Sequence, residues 1–380
     1  MSRINWDIAI VGAGPAGASA ALALAASGLS VVVLERQPWP RYKTCGGGVT
    51  GRAMRELAGI DVPVAHHCHR VELNLLDCGL SFNETRAEPL VSMVMRGDFD
   101  AALMTAATDA GATLIDNSPV TRLDPDETGV AIITPRGSIR AGLVILADGA
   151  LSPLARSRGW PDGRRMIPAL EWEVPVDDLT MARFHDTARF DFGVVSDGYA
   201  WIFPKGHHLS AGLGAFEGRQ HKLPLILQRY LDQLEIRPTG PIQRRGALIP
   251  VSPRRAPFAR ERLLLVGDAA GLTDPLTGEG ITFAIRSGRL AAASIISGEL
   301  NPPAVAARYE RALREQILPE IQHGALLSAL LYRFPAWRRR IFARRGAQLT
   351  RRMSDVICGQ TSYREIYRKA SSWWRLLGIS

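Results

Sequence analysis

The chain changes its hydrophobic period several times, and each change marks an element. Residues 8–11 form an unbroken apolar run, too short for a helix. Gly12-Ala13-Gly14-Pro15-Ala16-Gly17 follows at once, and small and aliphatic residues then continue to Ala26. Gly28 stops that segment, and residues 30–34 form a second apolar run ending in Glu35. The order predicts strand, glycine turn, helix, strand. Residues 143–156 and 262–288 carry two further buried-strand runs, the first ending in Asp148-Gly149 and the second in Gly267-Asp268. Across 67–97 and about 165–255 apolar and polar positions alternate, with turn signals at Asp197-Gly198, Lys205-Gly206 and Glu217-Gly218. That pattern predicts an antiparallel sheet. From about residue 301 the period is helical.

These elements predict an α/β fold. Residues 1–66, 98–160 and 256–300 form a discontinuous Rossmann-type domain, 67–97 and 161–255 an inserted antiparallel-sheet substrate domain, and 301–380 a helical C-terminal region. In the first turn, Gly12 permits the tight bend, Gly14 lets the backbone approach a pyrophosphate, and Gly17 lets helix and strand pack closely. Glu35 ends the second strand, where an acid accepts ribose hydroxyls and favours an unphosphorylated adenosine ribose, as in FAD or NAD. The helix after Gly278-Glu279-Gly280 offers an N-terminus to a developing negative charge. No second glycine turn leads into a helix: the glycines of 212–218 read as strand and loop. A nicotinamide therefore has no resident domain, and the reductant is expected to be transient NAD(P)H or a ferredoxin-like protein donor.

Composition changes the picture in two places. The 380 residues are 46% hydrophobic and 22% charged, which fits a globular chain with a large core. The net charge of +9 is concentrated in the tail, where residues 333–375 hold twelve Lys/Arg against Asp355 and Glu365. Arginines there alternate with Trp337, Ile341, Phe342 and Leu349, and Tyr363, Tyr367, Trp373 and Trp374 follow. Such a face suits an anionic membrane surface, and it is equally the pattern of a solvated basic helix. No nucleic-acid motif accompanies it. The four cysteines, Cys45, Cys68, Cys78 and Cys358, form no CxxC pair, so neither a metal site nor a disulfide framework is expected. No leader or membrane span is legible, and the expected location is cytoplasmic, with peripheral attachment to the inner face of a membrane.

The landmarks, taken in order, resemble the flavoprotein group that contains the aromatic hydroxylases. Within it, "PRYKTCGGG" matches the Tyr-x-x-Cys-Gly-Gly stretch of the geranylgeranyl reductase family at Tyr42, Cys45, Gly46 and Gly47. "YAWIFPK" matches that family's Tyr-x-Trp-x-Phe-Pro stretch at Tyr199, Trp201, Phe203 and Pro204. The family often has Pro three residues before this Tyr; here the residue is Ser196. The resemblance covers roughly residues 5–370 and implies bound FAD. It places Asp148 and Gly149 by the dinucleotide bridge, Asp268 on the ribityl chain, and Arg96, from "MRGDFDAAL", on the cofactor. Gly12, Gly14, Pro15, Ala16, Gly17, Glu35, Arg36, Cys45, Gly46, Gly47, Gly267, Pro275, Gly278, Gly280 and Ile281 complete the expected FAD contacts.

The implied activity is saturation of isolated C=C bonds in a prenyl chain on a lipid, quinone or pigment. Tyr199, Trp201 and Phe203 share one strand face, so they form either an apolar substrate wall or ordinary packing against a helix layer. Cys45, Tyr199 and Trp201 are the candidate catalytic residues, with the flavin or water as the proton source and Cys45 or Tyr199 guiding it. The three glycines are expected to leave room for the flavin edge. Two other readings stand beside this one: an FAD-dependent aromatic hydroxylase, and a membrane-surface flavoprotein that carries electrons without catalysis. The pattern does not fix the prenyl carrier or the oligomeric state.

Overall fold

A computed structural model of the protein describes residues 6–216, 222–255 and 257–368. The Glu217-Gly218 turn and the tail residues Lys369, Trp373, Trp374 and Arg375 lie outside the described residues.

Strand Trp6–Val11, helix Pro15–Ala26 and strand Val31–Leu34 follow the sequence pattern. The first strand pairs in parallel with Val31–Leu34 on one side and Gly137–Leu146 on the other. Thr113–Ile115 and Leu263–Leu265 extend the parallel sheet at its two ends. Strands of such a sheet are covered on both faces, which is why these runs are continuously apolar. Ile8, Ile10, Val32, Val33, Val144 and Ile145 are all fully buried.

The first helix is packed to backbone contact on two sides. A Cβ on Gly17 would stand 2.0 Å from the Gly12 carbonyl oxygen, and one on Gly288 would stand 2.2 Å from that of Ala16. Gly288 belongs to helix Ile281–Ser297. The helix thus sits between the strand turn and a second helix with no side chain at either contact.

A second sheet has seven strands. In spatial order they are Gln243–Pro250, Met166–Pro175, His208–Ala215, Gly198–Lys205, Thr187–Phe192, Arg70–Leu75 and Leu80–Thr85. All neighbours are antiparallel except Thr187–Phe192 with Arg70–Leu75, which run parallel. That pair departs from the antiparallel pattern because its two strands are joined by a long excursion and not by a hairpin. The stretch 67–97 also serves two sheets. Val91–Met93 pairs with Gly48–Thr50 and His66–Cys68 in a separate three-stranded sheet. Val91–Met93 is buried throughout, so it has no alternation to read.

One face of the large sheet is covered by helices Asp178–Phe184 and Leu223–Gln233, which pack on Ala200, Ile202 and Leu213. The opposite face presents Phe190, Phe192, Trp201 and Phe203 to helices Leu318–Arg333 and Pro335–Ile357. The last helix is seated on the edge strand at Gly346, where a Cβ would fall 2.1 Å from the Phe82 ring.

Gly288→Ala is expected to destabilise the protein. Alanine gains about 1 kcal/mol of helix propensity over glycine, but overpacking a close contact costs about 1–3 kcal/mol, and here the contact is backbone that cannot rotate away. Chemical denaturation of the variant against the parent protein checks the sign.

Candidate active site

A cavity of about 510 Å³ lies between the parallel sheet, the loop of residues 41–48 and the aromatic face of the large sheet. Val11, Leu34, Ala147 and Val266, at the ends of parallel strands, form its floor. This is the crevice in which open α/β sheets bind their ligands. Gly12, Gly14, Pro15, Ala16, Glu35, Arg36, Cys45, Gly46, Gly47, Arg96, Asp148, Gly149, Asp268, Gly278, Gly280 and Ile281 all line it, as do Tyr199, Trp201 and Phe203. Four residues singled out in the sequence do not. Gly17 packs beneath the turn, and Gly267 holds its N–H 2.9 Å from Ser287 Oγ. Pro275 packs against the helix bearing Gly324. Pro204 alternates with Phe203 and lies on the same strand side as Ala200 and Ile202, away from the cavity.

The lining fits a dinucleotide. Gly12 has φ +106°, and a Cβ there would stand 2.4 Å from the Ala147 carbonyl oxygen. Gly14 and Gly280 precede the helices Pro15–Ala26 and Ile281–Ser297 and carry no side chain to cap them. The first offers free first-turn N–H groups and a positive dipole end to the cavity, while in the second Glu279 already accepts the Thr282 N–H at 2.7 Å. Asp148 accepts from Ser152 Oγ at 2.7 Å through Oδ1, while Oδ2 is buried without a partner. Burial raises the Asp148 pKa. Glu35 accepts the Ala13 and Gln37 N–H groups, each at 3.1 Å, so it also fixes the turn from which it faces the cavity. An orphan carboxylate oxygen, a cradle that a side chain would fill and the uncapped start of helix Pro15–Ala26 are what FAD would use.

Sequence reasoning missed the staple behind this site. The buried Arg164 donates to the carbonyls of Asp268 at 2.8 Å and Ala150 at 2.7 Å, and Arg254 donates to that of Ala269 at 2.7 Å. These two arginines join the Asp148 and Asp268 segments. Each is the first of an Arg-Arg pair in a loop, and the doublet carries no sign of the carbonyls it meets.

The glycines beside Cys45 have their Cβ space filled by the protein's own side chains, a different use from the expected room for a flavin edge. A Cβ on Gly46 would meet Trp201 Nε1 at 3.1 Å and the Phe203 ring at 3.3 Å. Gly47 has φ +76°, and a Cβ there would meet the Val94 carbonyl oxygen at 2.3 Å and Lys205 Nζ at 2.9 Å. Across the strand pair, a Cβ on Gly212 would lie 2.1 Å from the Trp201 ring. Cys45 is half-buried, and its sulfur accepts the Gly47 N–H at 3.4 Å. It also lies within hydrogen-bonding reach of Arg96. Arg96 Nε and Nη2 grip Asp100 at 2.8 and 2.9 Å. This carboxylate keeps Arg96 charged against the cost of burial.

Tyr199 donates its hydroxyl to the Thr277 carbonyl. Burial, with Asp274 and Cys45 nearby, raises its pKa. The phenol is therefore neutral and already engaged. Behind it lies a second cavity of about 150 Å³, bounded by Phe190, Phe192, Leu276, Leu331, Tyr332, Trp337 and Phe342. The two cavities share Phe190, Tyr199, Thr277, Ile357 and Tyr363. Trp337, Ile341, Phe342 and Leu349 thus turn inward around an apolar space, while Arg339, Arg340, Arg344, Arg345, Arg351 and Arg352 are exposed.

A buried charged cluster, also absent from the sequence reading, borders the cavity next to Cys45. Glu171 and Glu173 share a face of Met166–Pro175. Tyr42 donates to Glu171 at 2.8 Å, and the Cys45 N–H at 3.2 Å. Lys205 Nζ donates to Glu173 at 2.8 Å. Burial and then Glu173 push Glu171 up to about 7, against the pull of Lys205 and Tyr42. Burial opposes the charge on Glu173 as well, but His208 and Lys205 prevail and hold it low. The i, i+2 spacing of the two acids in "LEWEV" is the signal that could have found them.

Fold and site together define an FAD-dependent oxidoreductase. The FAD binding domain family matches residues 5–199. Digeranylgeranylglycerophospholipid reductase 2 of Methanothermobacter thermautotrophicus is 32% identical over 350 residues, 86% of this chain and 88% of its own. Menaquinone reductase of Mycolicibacterium smegmatis is 30% identical over 313 residues, 77% of this chain and 76% of its own. A solved structure from Thermoplasma acidophilum, described as geranylgeranyl bacteriochlorophyll reductase-like, superposes with a TM-score of 0.76 at 26% identity, covering 86% of this chain and 87% of that one. The chain belongs to the geranylgeranyl reductase family.

Glu35→Gln is expected to weaken FAD binding by about 10- to 100-fold, the loss of a charged hydrogen bond worth about 1.5–3 kcal/mol. Titration of the apoprotein with FAD, followed by flavin fluorescence, reads the change.

Proposed function

We propose that the protein saturates C=C bonds of a prenyl chain carried by a lipid, quinone or pigment. The observation that carries this reading is the apolar cavity behind Tyr199, which continues the FAD-fitting cavity past an aromatic wall. A prenyl chain is long, flexible and without polar atoms. A groove lined by Phe190, Phe192, Leu331 and Phe342 holds such a chain by area and dispersion. A hydroxylase substrate would instead need polar partners to orient a ring.

Reduced FAD, when bound, supplies hydride. The cofactor would be held by the Gly12–Ala16 turn, Glu35, Asp148 and Asp268, with the Ile281–Ser297 helix start facing developing negative charge. Trp201 and Phe203 close one side of the crevice and exclude water. Their faces, with that of Tyr199, stabilise positive charge that builds on an isolated alkene as it is reduced. Cys45, beside Arg96, lines the crevice and shapes proton access. Electrons arrive from NAD(P)H or a ferredoxin-like donor. The exposed arginines of Pro335–Ile357 bring the protein to an anionic membrane surface, where prenylated substrates reside.

The direct test is mass spectrometry of lipids from cells with and without the gene. One added dihydrogen per bond in a prenyl compound is the expected result; incorporation of oxygen from O₂ into a phenol would assign the hydroxylase reading instead. Cys45→Ala and Tyr199→Phe are each expected to slow single-turnover saturation with FAD still bound. Wild-type rates in both would remove them from the chemistry. Leu331→Trp narrows the second cavity and is expected to lower turnover of a geranylgeranyl chain while a short dimethylallyl chain is spared.

A further inference from the structure

We infer that Glu171 is the proton donor of the site, reloaded from solvent through Glu173 and His208. The inference rests on the reading that an isolated alkene is reduced in this cavity. Reduction needs a proton beside the hydride, and neither Cys45 nor Tyr199 is placed to cycle one. The Tyr199 hydroxyl is committed to a backbone carbonyl. The Cys45 sulfur accepts the Gly47 N–H beside Arg96, and the Cys45 backbone N–H is donated to Glu171.

Glu171 meets the requirements of a donor. It lines the cavity yet is only 2% exposed. Burial and Glu173 favour its protonated form and prevail, while Tyr42, the Cys45 N–H and Lys205 favour the carboxylate. Tyr42 and the Cys45 N–H fix its oxygens, Glu173 lies within hydrogen-bonding reach on the same strand, and Lys205 supplies one positive charge for the two acids. Arg245, the cross-strand neighbour of Glu171, is exposed to solvent and lies over the Tyr42 ring at 4.0 Å. One ammonium with two buried carboxyls is balanced when a single proton stays on the pair.

The path outward is short. His208 Nε2 stands 3.0 Å from Glu173 Oε2, with its side chain 24% exposed. The two atoms are close, and neither has another hydrogen-bond partner. Ser210 Oγ, wholly buried and unpartnered, sits in register with Glu173 on the cavity face. Trp201 Nε1, also unpartnered, lines the cavity beside the Cys45 loop. Two orphan polar groups flanking the acid pair mark a place where polar species enter.

The step balances. Hydride adds to one alkene carbon, and the C–H bond at the other forms as the Glu171 O–H breaks. The resulting carboxylate takes a proton from solvent by way of His208 and Glu173. The two electrons come from the NAD(P)H or ferredoxin-like donor. Because the acid form of Glu171 is the active one, the step is present below its pKa and fades as pH rises through neutrality.

The test uses full-length, FAD-loaded protein. Infrared titration is expected to show a carboxylic-acid carbonyl band that disappears near neutral pH in the parent protein and is missing in Glu171→Gln. Single-turnover saturation of a geranylgeranyl substrate by dithionite-reduced protein is expected to fall at least 100-fold in Glu171→Gln. Flavin content and reduction are expected to persist, and Glu171→Asp is expected to recover part of the rate with a shifted pH profile. A parent protein without the titrating band, or a Glu171→Gln variant that keeps band or rate, overturns the assignment. A parent protein that shows the band and saturates no prenyl bond overturns the reductase reading, and with it the donor role of a confirmed acid.

Discussion

The backbone contact between Gly17 and the Gly12 carbonyl sets the position of everything around the cofactor crevice. Helix Pro15–Ala26 cannot stand further from its strand without losing the turn that follows Val11. It cannot be held from the other side except by a helix that also lacks a side chain, and Gly288 supplies that gap. Helix Ile281–Ser297 is thereby fixed against the first helix, so the two helix starts border one cavity. A crevice with two helix starts at its wall is a consequence of tight packing on its outer side.

Charge is handled by burial with partners. Arg164 and Arg254 satisfy backbone carbonyls of two distant segments, and Arg52 joins Asp274 and Glu279 beneath the same loop, at 3.3 and 2.8 Å. Tyr363 from the last described helix adds its hydroxyl to Asp274 at 2.9 Å. Removing one partner from such a group leaves the other charged and dry, which costs far more than the pair itself gains. These groups therefore specify geometry more than they add stability, and they tie the C-terminal helices to the cofactor loop.

The parts of this structure written locally were legible in the sequence. The glycine turn, the buried strands with their terminal acids and the aromatic stripe at 199, 201 and 203 each rest on near-neighbour chemistry. Most of the predicted cofactor residues reach one cavity because each stands at a strand end or helix start. What escaped was set by distant pairing. The parallel neighbours Arg70–Leu75 and Thr187–Phe192 carry no sign of their register. Arg164 shows nothing of the carbonyls it will meet. Glu171 and Glu173 look like the solvent side of a strand until Lys205 and Tyr42 arrive from two other segments. The tail misled in a related way: its apolar residues look ready for lipid, yet Trp337, Ile341, Phe342 and Leu349 enclose an internal space.

Trp201 occupies volume that a Cβ would need at both Gly46 and Gly212. In evolutionary terms the two glycines are held differently. At 212 a side chain meets the indole and also the Leu170 carbonyl at 2.4 Å, so a smaller residue at 201 does not by itself admit one. At 46 the contacts are 3.1 Å or more and both are to side chains, so a change there is coupled to residues 201 and 203 alone. One glycine is held by the chain's own backbone, and the other varies with the aromatic wall.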